Sequence, residues 1–313
     1  MKVISKAEIL EILPNLDPIP AIEQGFREYS QGKCNVPPVG ELIMDKGEVH
    51  IKYGCVTGDD YYVIKIASGF YGNTKIGLCT SNGMMIIFSQ NTGEVVAVLH
   101  DECYLTDVRT AIAGTISAKY LAPKNVTAIG IVGTGVQARM QLEYLAPVTD
   151  CKNVIVWGRG AEGLLAYKKD MIAAGYSVTA TQDMAELCAN ANLIVTTTPA
   201  HEPLITADMV RPGTHITAMG SDTLEKQELD AEILKIADLV VVDSIPQSET
   251  RGEVCKAREA GKITDADVVE LGNVIASGGG RTSEDQITVA DLTGVAVQDI
   301  KIAEAVYLAR EGI

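Results

Sequence analysis

The chain has 313 residues, of which 47% are hydrophobic and 21% are charged, and its formal net charge is −15. This composition is typical of a folded globular protein and its length suggests two domains. Acidic residues outnumber basic ones by 41 to 26 and there is no long run of Lys or Arg, which argues against nucleic acid as a partner.

The N-terminal ten residues carry scattered charges and no uninterrupted apolar core, so they fit neither a signal peptide nor a membrane helix. Seven cysteines form no CxxC pair, which is typical of free thiols in a reducing compartment. The four histidines show no i,i+4 pairing, and no metal site is expected. We therefore expect a cytoplasmic protein without a membrane segment.

The first 120 residues predict an α+β domain. Alternating apolar and polar runs, separated by Gly, Asp and Asn, predict an antiparallel meander with strands at residues 48–53, 61–67, 84–89 and 95–99. A helical pattern at residues 105–121, ended by Pro123, links this domain to the rest of the chain. A closing helix at about 295–310, within the segment 295–313, is expected to return to it.

Two cations in this region stand in apolar surroundings. Lys65 interrupts the apolar run Val63-Ile-Lys-Ile-Ala67, and Arg109 precedes an apolar helix. A buried cation is costly unless an anion meets it. The two residues are therefore candidates for a carboxylate clamp, although a structural ion pair explains each of them equally well.

The most informative motif joins an apolar strand to a glycine turn in Thr127-Ala-Ile-Gly-Ile-Val-Gly-Thr-Gly-Val-Gln-Ala138. Gly133 allows a tight turn, Gly135 allows phosphate to approach the backbone, and Ala138 allows close helix packing. The amides at the start of the following helix would face an anion. We expect this turn to bind a dinucleotide pyrophosphate through Gly133, Thr134, Gly135, Val136 and Gln137.

Residues 121–294 alternate between short apolar strands and helices, which predicts a Rossmann domain with a doubly wound parallel sheet. The predicted strands are 126–132, 153–157, 177–180, 193–198, 215–219 and 238–242, and helices are predicted at 161–174, 183–189 and 229–237. The fold class is thus α/β, a Rossmann domain plus an α+β domain for substrate binding and dimerisation.

The second strand of this domain is followed by Gly158-Arg159, where NAD-selective sites usually place a carboxylate for the adenosine ribose. Arg159 can instead pair with a 2′-phosphate. This favours NADP(H) over NAD(H), although a solvated surface arginine is the alternative.

Two later strand ends carry polar residues. Thr196, Thr197 and Thr198 end the fourth strand and either line the nicotinamide ribose or cap a turn. Asp222 follows the fifth strand, where a carboxylate can hold an ammonium or move a proton during chemistry on a C–N bond. The alternative for Asp222 is the N-cap of the next helix.

These motifs resemble the ornithine cyclodeaminase and mu-crystallin family, which also includes archaeal alanine dehydrogenases and ketimine reductases. The resemblance covers nearly the whole chain and rests on the segments 105–111, 131–138, 195–199, 212–222, 226–230 and 286–294. It implies a homodimer built through the first domain, a bound NAD(H) or NADP(H), and a small amino or imino acid in the cleft between domains.

The resemblance also implies residue roles. Lys65 and Arg109 match the positions that hold the amino acid carboxylate, Arg109 lies close to the cofactor as well, and Asp222 matches the catalytic aspartate. Met219, Gly220, Ser221 and Thr293 fall in family signatures expected to contact the cofactor.

Departures from the family pattern bear on the substrate. Lys52 replaces the glutamate expected in cyclodeaminases, which favours dehydrogenase or imine reductase chemistry, whereas Val39 replaces a basic residue that the family often carries. Ser81 and Asn82 add polar groups near the expected nicotinamide. Together with Lys52 they suit a polar or acidic substrate such as iminosuccinate, which would give aspartate; alanine is a further candidate product.

We therefore predict an NAD(P)-dependent enzyme that interconverts an α-imino acid, or an oxo acid plus ammonia, and an L-amino acid. Lys65 would assist catalysis by fixing the carboxylate, and Asp222 would act on the nitrogen. Two alternatives stay open, an ornithine cyclodeaminase that retains NAD⁺ and forms proline, and a mu-crystallin-like protein that binds NADPH and a small ligand with little turnover.

Overall fold

The computed structural model describes residues 1–313, and the chain divides into two compact units. Unit 1 comprises Met1–Arg109 together with Val295–Ile313, and unit 2 comprises Thr110–Gly294. The division falls inside one helix, Tyr104–Leu121, whereas the sequence placed a boundary after residue 120. No helix combines the length and the apolar character needed to cross a lipid bilayer.

Unit 1 contains a seven-stranded sheet in which strands β4 to β7 form an antiparallel meander, as predicted. The sheet order is β1-β7-β6-β5-β4-β2, with β3 paired to β4 and β1 parallel to β7. Its strands are β1 (Lys2–Ser5), β2 (Cys34–Asn35), β3 (Gly40–Met44), β4 (Gly47–Val56), β5 (Tyr61–Gly69), β6 (Ser81–Ser89) and β7 (Val95–His100). Helices α1 (Lys6–Ile12) and α2 (Ile19–Ser30) lie between β1 and β2 in the chain, and α3 (Tyr104–Leu121) follows β7.

Unit 2 contains an eight-stranded sheet, parallel throughout. Its strands are β8 (Ile129–Val132), β9 (Asn153–Trp157), β10 (Ser177–Thr181), β11 (Leu193–Thr196), β12 (His215–Ala218), β13 (Leu239–Val242), β14 (Val268–Glu270) and β15 (Thr288–Asp291). Its helices are α4 (Val136–Tyr144), α5 (Ala161–Ala173), α6 (Met184–Asn190), α7 (Ala231–Ile236), α8 (Gly252–Glu259) and α9 (Leu271–Ser277).

The strand order in the sheet of unit 2 is β10-β9-β8-β11-β12-β15-β13-β14. From β8 the chain first adds β9 and β10 on one side and then crosses to add β11 and β12 on the other, so the order of the strands reverses between β8 and β11. In a doubly wound sheet, ligands bind outside the carboxyl ends of the strands at such a reversal. The fold class predicted from the sequence is confirmed. All six predicted strands are present with ends shifted by up to three residues, whereas β14 and β15 were missed.

Both faces of this sheet are covered, which explains its continuous apolar strands. Along β11, Leu193 and Val195 belong to one hydrophobic core, and Ile194 between them belongs to another. Since successive side chains point to opposite faces of a strand, the two cores lie on opposite sides of the sheet.

The closing helix α10 (Ala296–Glu311) belongs to unit 1, where it packs against α2 and the strands β4, β5 and β6. Its buried residues include the apolar Val297 and Ile300 and also the charged Asp299. The buried face of β5 likewise carries Val63 and Lys65, two residues apart. The cation of the strand and the carboxylate of the helix are therefore both enclosed within unit 1.

Candidate active site

The glycine turn of unit 2 connects β8 to α4 and has the geometry of a phosphate-binding turn. Gly133 has a positive φ of 122°, and a Cβ built on it would lie 2.6 Å from the Thr197 hydroxyl oxygen. Gly135 is the N-cap of α4 and offers no side-chain cap, so the first amides of the helix have no capping side chain. No protein atom lies within 4 Å of a Cβ built on Gly135. The turn therefore leaves space beside a helix N-terminus that has no capping side chain, which suits a pyrophosphate.

A cleft of about 390 Å³ lies beside this turn at the carboxyl ends of the strands. It has the place and the lining expected of a dinucleotide site in this fold. Its walls come from three strand-end loops, with the lining residues Gly133, Thr134, Gly135, Trp157, Gly158, Arg159, Gly160, Thr197, Thr198, Pro199, Ala200 and Leu204. Of the other predicted cofactor residues, Val136 is exposed and Gln137 is half-buried on the first turn of α4.

Arg139, which the sequence analysis did not single out, braces the turn. Its guanidinium donates to the carbonyl of Thr134 at 2.5 Å and to that of Gly135 at 3.2 Å, and it pairs with Asp170 at 2.7 Å. An arginine one turn into the helix could have suggested this contact. Arg139 therefore holds the turn through its carbonyl groups and does not occupy its backbone amides.

Arg159 lies at the cleft, in the loop after β9. Its backbone carbonyl accepts a hydrogen bond from the Gln182 side chain at 2.7 Å, which fixes the loop. The residue is exposed. An exposed arginine thus lines the cleft where an adenosine ribose is expected.

The three threonines after β11 differ in what they present to the cleft. Thr196 is fully buried and its hydroxyl donates to Glu228 at 2.6 Å, so it does not line the cleft. Thr197 and Thr198 line the cleft, while their hydroxyls donate to the carbonyl of Val132 at 3.0 Å and to Glu228 at 2.7 Å. Glu228 was not predicted, although a glutamate inside a family signature was the available signal.

Asp222 lies in the loop that follows β12, and its side chain is 45% exposed. The buried Lys226 donates to its carboxylate at 2.6 Å, and Arg251 donates to its backbone carbonyl at 3.3 Å. Asp222 is not a helix cap, because α7 is capped by Asp230. An accessible carboxylate held by a buried ammonium can pair with a substrate cation or exchange a proton with it.

The other predicted cofactor residues of unit 2 hold the backbone near these loops. The amide of Met219 donates to the carbonyl of Thr196 at 3.1 Å, and the Ser221 hydroxyl donates to the carbonyl of Lys226 at 2.7 Å. Thr293 is buried, and its amide and hydroxyl donate to Asp243 at 3.2 and 3.1 Å. These contacts give Met219, Ser221 and Thr293 a structural role within the unit.

In unit 1, Lys65 and Arg109 share one buried carboxylate. The Lys65 ammonium lies 3.3 Å from one oxygen of Asp299, and Nε of Arg109 lies 2.9 Å from the other. Arg109 also donates to the Gln298 side chain at 3.3 Å. All three charged side chains are at most 7% exposed. Two cations and one carboxylate leave this group with a single net positive charge.

Burial lowers the pKa of Lys65, and the carboxylate of Asp299 opposes that shift. A further buried carboxyl group belongs to Asp101, which accepts a hydrogen bond from the amide of Leu105 at 2.8 Å. Burial raises the pKa of Asp101 to about 6, and the charge of Lys65 acts against this rise. Both shifts show that the surroundings of Lys65 are poorly solvated, so that charged groups in this place interact strongly with one another.

Lys52 on β4 lies directly opposite Lys65 on β5 in the antiparallel register and is 7% exposed. Side chains of directly opposite residues lie on the same face of the sheet, so the two lysines share the buried face of unit 1. Ser81 and Asn82 are exposed at the start of β6. Met85, the residue of β6 that pairs with Lys65, lies three residues further on, about 10 Å along the strand. The structure thus brings Lys52 to Lys65 but not Ser81 and Asn82.

Comparison with known proteins agrees with this geometry. The model of the ornithine cyclodeaminase/mu-crystallin family matches residues 1–312. An uncharacterized cyclodeaminase of Sinorhizobium fredii is 41% identical over 316 residues, covering 98% of this chain and 95% of the relative.

Two solved structures share both fold and sequence with the chain. An archaeal alanine dehydrogenase dimer with bound NAD is 34% identical, with a TM-score of 0.91, and the match covers 100% of this chain and 96% of that one. The iminosuccinate reductase of Paracoccus denitrificans with NAD⁺ is 32% identical, with a TM-score of 0.89 and coverage of 100% and 97%. The chain belongs to the ornithine cyclodeaminase/mu-crystallin family, as its motifs predicted.

Proposed function

We propose that the protein is a nicotinamide-dependent oxidoreductase that interconverts an α-imino acid, or an oxo acid plus ammonia, and an L-amino acid. The observation that carries this proposal is the buried group of unit 1, in which Lys65 and Arg109 share only Asp299. Its excess positive charge suits the carboxylate common to every such substrate. The cleft beside Gly133 in unit 2 supplies a matching place for the dinucleotide.

In this proposal Lys65 and Arg109 bind the substrate carboxylate and so fix the orientation of the α-carbon. A bound nicotinamide ring would supply or accept the hydride at that carbon. Fixing the reacting carbon in one orientation provides a large part of the rate. Because Lys65 and Arg109 are buried, they also keep water away from the carboxylate, which strengthens its binding.

Asp222 acts on the substrate nitrogen. Its carboxylate pairs with the iminium on one side of the reaction and with the ammonium on the other, and it takes up or returns the proton that the nitrogen exchanges. Lys226 at 2.6 Å favours the ionised form of Asp222 that this pairing requires.

The Asp222→Asn variant tests this assignment. It should bind reduced cofactor as the wild type does and lose about 10²-fold or more in kcat, because only the charge and the proton exchange are removed. Cofactor binding is followed by the quenching or enhancement of nicotinamide fluorescence, and turnover by the reduced-nicotinamide absorbance. Unchanged turnover would remove Asp222 from the mechanism.

We propose that the coenzyme is NADP(H) rather than NAD(H), on the basis of the exposed Arg159 at the cleft. An arginine in this place can bind a 2′-phosphate through its planar fork. The two similar solved structures contain NAD. The test compares kcat/KM for NADH and for NADPH in the wild type and in Arg159→Gln. The variant should show a lower kcat/KM with NADPH and an unchanged kcat/KM with NADH.

We propose a substrate with an acidic side chain, with iminosuccinate, which gives aspartate, as the leading candidate. Lys52 supports this, because it is a buried cation directly opposite Lys65 in the register of β4 and β5, and a second carboxylate could bind to it. The Lys52→Met variant should lose about tenfold or more in kcat/KM with oxaloacetate plus ammonia and little with pyruvate plus ammonia. An equal loss with both acids would assign Lys52 to the α-carboxylate instead.

A homodimer is proposed as the assembly, since the similar archaeal alanine dehydrogenase is described as a dimer. Light scattering coupled to size-exclusion chromatography measures the mass directly. A monomer at micromolar concentration would contradict this proposal.

Ornithine cyclodeamination is the second candidate, and it is favoured by the similarity to the Sinorhizobium fredii cyclodeaminase. A buried cation at Lys52 speaks against it, because the distal amine of ornithine would be repelled there. Incubation with ornithine and catalytic NAD⁺ separates the two activities. Proline formed without net change in nicotinamide absorbance would establish the cyclodeaminase, and absence of turnover with any acid would leave a binding protein.

A further inference from the structure

A single buried carboxylate connects two of the loops at the carboxyl end of the sheet in unit 2. Glu228 is 0% exposed. One of its oxygens accepts from the amide and the hydroxyl of Thr198 at 2.6 and 2.7 Å. The other accepts from the Thr196 hydroxyl at 2.6 Å and from the amide of Gly220 at 2.8 Å. Four donors thus surround it, two from backbone amides and two from hydroxyl groups.

These four donors belong to the last residue of β11 and to the loops that follow β11 and β12. Gly220 fits closely against the same group, because a Cβ on it would lie 2.2 Å from the carbonyl oxygen of Thr198 and 2.4 Å from Glu228. Thr197, between the two threonines, holds the carbonyl of Val132 through its amide at 2.9 Å and its hydroxyl at 3.0 Å. Val132 is the residue before the glycine turn. The contacts of Glu228 therefore extend to the turn itself.

The surroundings of Glu228 include other carboxylates. Glu253 on α8 accepts hydrogen bonds from the amides of Glu228 and Leu229 at 2.8 and 3.1 Å. The charge of Glu228 contributes to the raised pKa of both Glu253 and Asp291, after burial, which is the main cause. Burial also raises the pKa of Glu228, against which its four donors act. A charge in this position is costly, and its four donors offset that cost.

We propose that Glu228 is a positioning residue for the dinucleotide cleft. Its carboxylate sets the places of Thr197 and Thr198, which form one wall of that cleft, relative to Gly133 and Gly220. Glu228 does not line the cleft itself. This inference rests on the proposed function only in that the cleft binds a nicotinamide dinucleotide.

A glutamine of the same shape cannot replace this carboxylate. A threonine hydroxyl can rotate and accept a hydrogen bond from the glutamine amide nitrogen, but a backbone amide can only donate. Each oxygen of Glu228 faces one backbone amide, Thr198 on one side and Gly220 on the other. Whichever way the amide of Glu228→Gln is oriented, one of these two N–H groups opposes an NH₂ group and one loop loses its anchor.

The test measures the dissociation constants of NADH, NADPH and 5′-AMP by fluorescence titration or calorimetry for the wild type and for Glu228→Gln. For the coenzyme that the wild type binds better, the variant should bind about tenfold or more weakly, as expected when a buried donor is left unpaired. Its affinity for AMP should stay unchanged, because the adenosine of AMP is expected beside Arg159 and its phosphate at the amides of α4, away from Thr198 and Gly220. Its KM for the amino acid at saturating cofactor should also stay unchanged. The matched control is Glu232→Gln, a half-buried glutamate on α7 that pairs with Lys235 and Lys262 and should leave all these constants unchanged.

If Glu228→Gln does not fold, as judged by circular dichroism and a cooperative melt, Thr196→Val takes its place. Thr196 is fully buried and its hydroxyl donates to Glu228, so the valine variant keeps the backbone contacts of Thr196 and removes one of the four donors to Glu228. A weaker cofactor affinity with unchanged AMP affinity would support the inference. A folded variant that binds the dinucleotide as the wild type does would overturn it and leave the proposed function intact. A wild type that binds neither NADH nor NADPH would instead overturn the proposed function.

Discussion

Replacement of Asp299 by Asn is expected to destabilise unit 1 strongly. The wild-type carboxylate lies 3.3 Å from the Lys65 ammonium and 2.9 Å from Nε of Arg109, and it is 1% exposed. The amide of asparagine offers one acceptor to two cations and directs an NH₂ group at the other. Removing one partner from a buried ion pair costs about 3–5 kcal/mol, because the remaining charge is left without compensation. Since one acceptor is retained, we expect about 3 kcal/mol.

This loss corresponds to a fall in Tm of roughly 10 °C for a unit of this size. Differential scanning calorimetry at neutral pH measures it, with Glu304→Gln as the matched control on the same helix. Glu304 lies 4.0 Å from Lys301, which also pairs with Glu28 and Asp59, so this control removes only a minor contact. A Tm for Asp299→Asn equal to that of the control would refute the assigned role of Asp299.

The pH dependence of the same variant gives a second check. Burial lowers the pKa of Lys65 below its usual 10.5, and without Asp299 nothing in the pair opposes that shift. Between the lowered folded pKa and the unfolded pKa, the unfolded chain binds more protons at this residue than the folded one, so stability rises with pH. The difference in Tm between Asp299→Asn and the wild type should therefore shrink as the pH is raised from neutral toward 10. A constant difference would mean that Lys65 keeps its proton in the variant.

Two further predictions concern unit 2. Gly133→Val should fold but lose dinucleotide binding in the same titrations, because its Cβ would lie 2.6 Å from the Thr197 hydroxyl oxygen at a φ of 122°; binding equal to that of the wild type would show that the turn is not the pyrophosphate site. His215, hydrogen-bonded to Thr288 and Thr217, is fully buried, and burial lowers its pKa from 6.5 to about 3. The unfolded chain thus binds its proton first, so this residue's contribution to stability is present above pH 6.5 and is lost between pH 6.5 and about 3. His215→Gln should flatten the acid side of the Tm-against-pH curve, and an unchanged slope would contradict the assignment.

The parts of the fold that the sequence predicted are those with strong local signals. The apolar strand, Gly133, Gly135 and the following helix are contiguous, and each needs a particular residue type. In contrast, β15, Thr-Val-Ala-Asp, shows no apolar run although it lies in the middle of the sheet, between β12 and β13. Its polar ends are stabilised by distant partners, since Thr288 bonds with His215 and Asp291 accepts from the amide of Val254. Such contacts are not visible in a local pattern.

The site follows the same division. Lys65 is conspicuous because it interrupts an apolar run and Arg109 because it precedes an apolar helix, but their partner Asp299 lies about 190 residues from Arg109 in the chain. The local pattern of the closing helix indicates only an apolar face, and the buried Asp299 is an exception to that pattern. Glu228 was similarly overlooked, because its function depends on loops that only the folded sheet brings together. Contacts between charged residues that lie far apart in the chain can be identified only from the three-dimensional structure.

The most direct test of the central claim is the ammonia dependence of the reaction. Reduced-cofactor consumption is followed with oxaloacetate, pyruvate and other oxo acids, each with and without ammonium, while the products are identified by chiral chromatography. Our account predicts consumption only when ammonium is present, with one L-amino acid formed for each reduced cofactor oxidised. Consumption that is independent of ammonium and yields a hydroxy acid, or none with any acid by a protein that binds the cofactor, would contradict it.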